Sequence, residues 1–104
     1  MMTDYSNLSD GEINMAVAKL MGTYRYVPEN LPCDRHLGRN YCNSWADAGP
    51  IILENCISMV WDCAEDASSA WWNAFDKFDD CRIQYQANPL RAAMIVFLMM
   101  NEGE

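Results

Sequence analysis

The run Asn88-Pro89-Leu90-Arg91-Ala92-Ala93-Met94-Ile95-Val96-Phe97-Leu98-Met99-Met100 limits the folds open to this chain. Asn88 is suited to cap a helix, because its side-chain oxygen accepts from the orphan N–H groups of a first turn. Pro89 then falls at the first helical position, where a missing N–H costs nothing. From Ala92 to Met100 nine apolar residues follow without a break. A helix that is apolar on every side must be covered on more than one side. It is too short to span a bilayer, which takes ~18 or more such residues. The expectation is a helix at the hydrophobic centre of a small domain.

At 104 residues the chain is the size of one domain, so 1–104 is read as a single unit, with 28–43 as an irregular loop or insertion. Half of it is hydrophobic, which is enough for a packed core and argues against disorder. Its eight methionines suit either padding of that core or an adaptable contact face. Fifteen acids against seven bases leave a net charge of −8. That field repels phosphates, so direct nucleic-acid binding is not expected, and basic partners are favoured.

The five cysteines (Cys33, Cys42, Cys56, Cys63 and Cys81) are odd in number and show no stapling pattern. No charged n-region followed by an apolar h-region opens the chain. Reduced thiols and a cytoplasmic location are expected, with no membrane segment.

Ser9 and Glu12 form a capping box. Ile13, Ala16, Val17, Leu20 and Met21 then recur at helical spacing up to Gly22, a left-handed stop. Tyr24–Val27 reads as a short strand. Pro28, Pro32 and Gly38 punctuate the irregular stretch that follows, which also holds Arg35, His36 and Arg39. Ser44 is a candidate cap for a second helix reaching about Asn55. Gly49-Pro50 leaves two options, a kinked or restarted helix or a loop up to Gly49 with a helix from Pro50. Cys56–Trp61, Trp71–Phe75 and Cys81–Tyr85 have strand composition, with polar turns between them. The order predicts an α+β domain, a small three-stranded antiparallel sheet packed with about three helices.

Asn43-Ser44-Trp45-Ala46-Asp47-Ala48-Gly49-Pro50-Ile51-Ile52-Leu53-Glu54, then a tryptophan-bearing strand region, then Asn88-Pro89-Leu90-Arg91-Ala92-Ala93-Met94, resembles the NinX-like family of small lambdoid-phage and prophage proteins. Ala16–Gly22 fits the family's opening helix. The resemblance covers roughly residues 9–100, with an insertion-like stretch near 28–41. The layout is also similar to phage domains described as helix–sheet–helix sandwiches. It implies a phage or prophage origin, an intracellular protein and an accessory role, such as host takeover, recombination support or countering host defence. It supplies no catalytic residues to carry over.

Asp62, Glu65, Asp66, Asp76, Asp79 and Asp80 crowd into nineteen residues, offset only by Lys77. Merged into one surface, they would imitate nucleic-acid phosphates in a basic groove; kept apart, they are ordinary solvated turns. Of the adjacent Trp71 and Trp72, one can enter the core while the other stays outside as a binding anchor, and Trp72 is taken as that anchor. Cys33-x-x-His36 with Cys42 lacks a fourth metal ligand, and a Cys–His nucleophile would need an orienting third group. No phosphate loop or HExxH occurs. No cofactor, metal or catalytic site is therefore expected. The expected function is non-enzymatic: binding a host protein with a basic nucleic-acid-binding surface, as an anti-CRISPR-like anti-defence inhibitor. The alternative is an accessory factor in phage replication or recombination that dimerises through the Met-rich helix.

Overall fold

The computed structural model describes residues 4–22 and 40–102. The Tyr24–Val27 strand, Arg25, Cys33, Arg35, His36, Arg39 and all of the 28–43 loop before Asn40 lie outside the described residues.

Helix α1, Asp10–Met21, begins at the expected capping box: Glu12 N donates to Ser9 Oγ (3.1 Å) and Ser9 N to Glu12 Oε1 (3.0 Å). Those bonds hold the Glu12 carboxyl below its ordinary range. Gly22 ends the helix at φ +73°, a conformation that a side chain would disfavour. Its buried stripe is Ile13, Val17 and Ala18, while Leu20 and Met21 are exposed. The apolar spacing located the stripe but overran its end.

Helix α2, Trp45–Asn55, runs unbroken through Pro50. Ser44 occupies the cap position but makes no side-chain cap bond. Asp47 Oδ2 instead accepts from Asn40 N at 2.9 Å, tying the entering turn to the helix. At Gly49 a Cβ would lie 2.8 Å from the Trp45 ring, so a larger residue there would have to displace that exposed ring.

Strands β1 (Ser58–Cys63), β2 (Ala70–Phe75) and β3 (Arg82–Gln86) form an antiparallel meander in the order β1-β2-β3. The register pairs Met59 with Ala74 and Ala74 with Ile83, so these three share the face that packs on the core. Helix α3, Pro89–Met100, lies across that face and packs against all three strands, α1 and α2. The fold is α+β, as expected. Its layers run sheet, α3, then α1 and α2, so the second face of the sheet carries no helix among the described residues.

The encirclement of α3 explains its composition. Every residue from Ala92 to Leu98 is buried, and Met99 and Met100 pack against the core. Full burial of a side chain such as Met94 or Ile95 contributes about 2 kcal/mol. Met94 therefore pads the interior. The helix leaves little exposed surface for the dimer contact that the alternative reading assigns to it.

The start of α3 is pinned by polar groups. Asn88 Oδ1 accepts from Leu90 N (2.8 Å) and Arg91 N (3.3 Å), while its Nδ2 donates to the Cys42 carbonyl (2.6 Å) and Asn43 Oδ1 (2.9 Å). Arg91, with only 15% of its side chain exposed, donates through Nη1 to Asp10 Oδ1 at 2.7 Å. Its Nη2 donates to the carbonyls of Ser6 (3.1 Å) and Leu8 (2.6 Å), and its Nε to Gln86 Oε1 (3.0 Å). One guanidinium thus joins the lead-in segment, the first turn of α1 and the end of β3 to the central helix. Removing it leaves a carboxylate and three carbonyl oxygens short of donors. Arg91→Ala is expected to cost ~3 kcal/mol in urea unfolding, and Arg91→Lys to recover less than half of that, since an ammonium cannot reproduce the fork.

Candidate interaction surface

The meander decides where the acids go. Ala64–Ser69 joins β1 to β2, and Asp76–Cys81 joins β2 to β3 at the other end of the sheet. Glu65 and Asp66 sit in the first turn and Asp79 and Asp80 in the second, all exposed; Asp62 is exposed near the end of β1. Six residues of β2 separate the turns, a span of ~20 Å. Charges that far apart are screened from one another at physiological salt, where the Debye length is ~8 Å. The structure therefore makes two acidic ends and not one merged carboxylate surface.

Asp76 does not belong to the exposed set. It is 7% exposed, and its Oδ1 accepts from Asp80 N (2.8 Å) and Cys81 N (3.2 Å). Its own N–H donates to the Cys81 carbonyl (3.1 Å), and its carbonyl accepts from Asp79 N (3.0 Å). This carboxylate builds the turn, because short polar side chains satisfy local backbone donors. Asp79 takes φ +57°, which aspartate tolerates, and meets Arg82 at 3.3 Å in a solvated pair of small energetic weight. In the other turn, Ser68 hydrogen-bonds Asp66 and holds its carboxyl below the ordinary range.

The two tryptophans of β2 do face opposite ways, but Trp72 is not the outward one. Ala74 lies in the core, and the two-residue period puts Trp72 on the same helix-facing side, half-buried. Trp71 lies on the outer face, its ring 5.0 Å from that of Tyr85. Phe75 shares this face, with the Arg82 guanidinium 6.0 Å from its ring centre, and so does exposed Val60, paired with Asn73.

Tyr85 holds φ +62° at a bulge where the β2–β3 register slips between Trp72 and Ala74. Its N–H donates to Asn73 Oδ1 at 3.4 Å. Tyr85, Trp61 and Trp45 are exposed aromatics that sequence reasoning missed as surface features. Arg91 was missed too, yet it carried a signal: a cation in the first turn of a helix opposes the helix dipole and calls for a specific partner.

The chemistry expected to be absent involves residues that are only partly described. Cys42 is buried, its Sγ lies 3.8 Å from the Asp10 carbonyl, and its N–H donates to Asn14 Oδ1 (2.9 Å). Burial, reinforced by Asp10 and opposed by Arg91, pushes its thiol from 9.0 up to about 12. Among the described residues no group of three or more His, Cys, Asp or Glu gathers to hold a metal. No helix among them is long and apolar enough to cross a membrane.

The family model for bacteriophage P22 NinX matches residues 4–101. The chain belongs to the NinX family. The match confirms the relationship drawn from the Gly49-Pro50-Ile51-Ile52 and Pro89–Met94 blocks, and identifies a phage protein. No curated protein and no solved structure matches the chain. In this NinX family member, the matched region takes in α1, α2, the whole sheet and α3.

Asp76→Ala should destabilise the domain by ~2 kcal/mol, whereas Asp80→Ala should stay within ~0.5 kcal/mol, both read by thermal or urea unfolding. Cys42 should resist thiol reagents in the native state while exposed Cys56 reacts, as peptide mapping will reveal. The folded thiol keeps its proton where the unfolded one loses it. Its contribution to stability is therefore full below about pH 9 and is lost as pH rises towards about 12.

Proposed function

We propose that this phage protein acts without catalysis, by binding a host protein that has a basic surface. In its sharpest form it is an anti-defence inhibitor, anti-CRISPR-like, that covers a nucleic-acid-binding or effector surface in the host cytoplasm. The observation that carries this reading is the outer face of the sheet: a tilted Trp71–Tyr85 ring pair, 5.0 Å between centroids, lies between acidic turns at its two ends. Aromatic pairs supply much of the energy at protein interfaces. Flanking carboxylates steer a basic partner and set its orientation. The net charge of −8 disfavours direct contact with nucleic acid, so competition for a partner's basic surface is the favoured route.

Affinity capture from a host lysate tests this. The wild-type protein should recover a nucleic-acid-binding protein, with capture weakening as salt rises. The double variant Glu65→Lys/Asp66→Lys and the double variant Asp79→Lys/Asp80→Lys should each lower affinity ~10-fold or more, with Asp76 left in place so that the turn still folds. Capture limited to abundant unrelated proteins, or unchanged by both reversals, would overturn the reading.

A further inference from the structure

The sheet has two edges, and they are not alike. At β3 the row of backbone groups is broken by the bulge, by the left-handed Tyr85 and by Gln86 Nε2, which donates to the Gln84 carbonyl at 3.3 Å. Such irregularity blunts an edge against pairing. Strand β1 keeps a regular six-residue register with β2. Ala64 N donates to the Ser69 carbonyl, so by the antiparallel alternation Ser58, Val60 and Asp62 bond to β2, and Met59, Trp61 and Cys63 turn their backbone groups outward. Only the outward N–H of Cys63 has a partner among the described residues, Asp62 Oδ1 at 2.8 Å. Beside this edge stands Trp61, 56% exposed.

Charge selects the occupant. From Asn40 to Phe75, which spans α2, β1 and β2, there is no lysine or arginine, and there are five acids: Asp47, Glu54, Asp62, Glu65 and Asp66. A second copy would bring the same acidic edge and be repelled. A basic strand is attracted.

We propose that the edge of β1, which no strand covers among the described residues, is a strand-addition site for an extended, lysine- or arginine-bearing segment of the partner protein. This rests on the host-binding reading above and specifies its mode. Main-chain bonds form at Met59 and Trp61, and alternate side chains of the added strand set specificity. As an incoming carbonyl takes the Cys63 N–H, the Asp62 carboxylate is released to pair with a cation on the neighbouring strand. Asp62 thus guards the empty edge and reads the charge of what fills it.

The probe is a synthetic ten-residue peptide of alternating valine and lysine, with a valine–glutamate peptide as control. With the lysine peptide, amide exchange at Met59, Trp61 and Cys63 should slow ~10-fold or more; the glutamate peptide should leave it unchanged. Trp61→Pro removes an outward N–H while sparing the β1–β2 bonds, so it should weaken peptide binding ~10-fold beyond Trp61→Ala, which removes only the ring. Protection confined to other amides, or equal binding by the two variants, overturns strand addition. So does edge protection without peptide that grows with protein concentration alongside a dimer in light scattering. The exchange measurement on the wild type stands if Trp61→Pro fails to fold. In lysate capture, a partner held equally by wild type and a folded Trp61→Pro rejects strand addition and leaves host binding intact. Capture of no specific partner by the wild type rejects host binding, and the peptide result then decides the edge alone.

Discussion

The burial of α3 on all sides is the constraint from which the rest of the domain follows. The sheet alone has one apolar face to hide, and α1 and α2 each have one stripe. Among the described residues these pieces touch one another little, and each packs chiefly on α3. An element with no polar face can serve two layers at once, because it needs no particular side turned to water.

Such a helix is placed by the hydrophobic effect but not oriented by it, since apolar burial has no direction. Orientation comes from the polar groups at its start. Asn88 caps the first turn and reaches the Cys42–Asn43 turn, while Arg91 binds the segment before α1 and the last residue of β3. Asn14, Asn40 and Asn43 extend this set: Asn14 Nδ2 and Asn43 Nδ2 both donate to Asn40 Oδ1. The starts of α1, α2 and α3 are thereby held together by directional bonds. A polar network that is nearly complete specifies one arrangement, because each lost bond strands a partner in a poorly solvated place.

With the helices gathered on one side, the sheet is left with an outer face and a regular edge. Both lie between turns whose carboxylates are exposed, apart from Asp76. The acidic turns at the two ends, the Trp71–Tyr85 pair and the β1 edge are consequences of a three-stranded meander that, among the described residues, has helices on one face only. The proposed binding function uses what the packing leaves over and not a cavity built into the core.

Much of this was legible in the chain itself. Local signals suffice where the physics is local: the Ser9–Glu12 box, the Gly22 stop, the Asn88-Pro89 start and the three strand segments all depend on neighbours a few residues away. The apolar run from Ala92 likewise announces a central helix, since no other placement hides it. What the sequence by itself could not decide is which groups meet across the fold. Asp76 looks like Asp79 and Asp80 in composition, yet it alone turns inward to the backbone. Trp72 looks like Trp71, and only the strand register assigns the outer face. Arg91 finds Asp10 eighty-one positions away. Those distinctions arise from strand pairing and helix packing, which bring together residues whose separation along the chain carries no local trace of their contact.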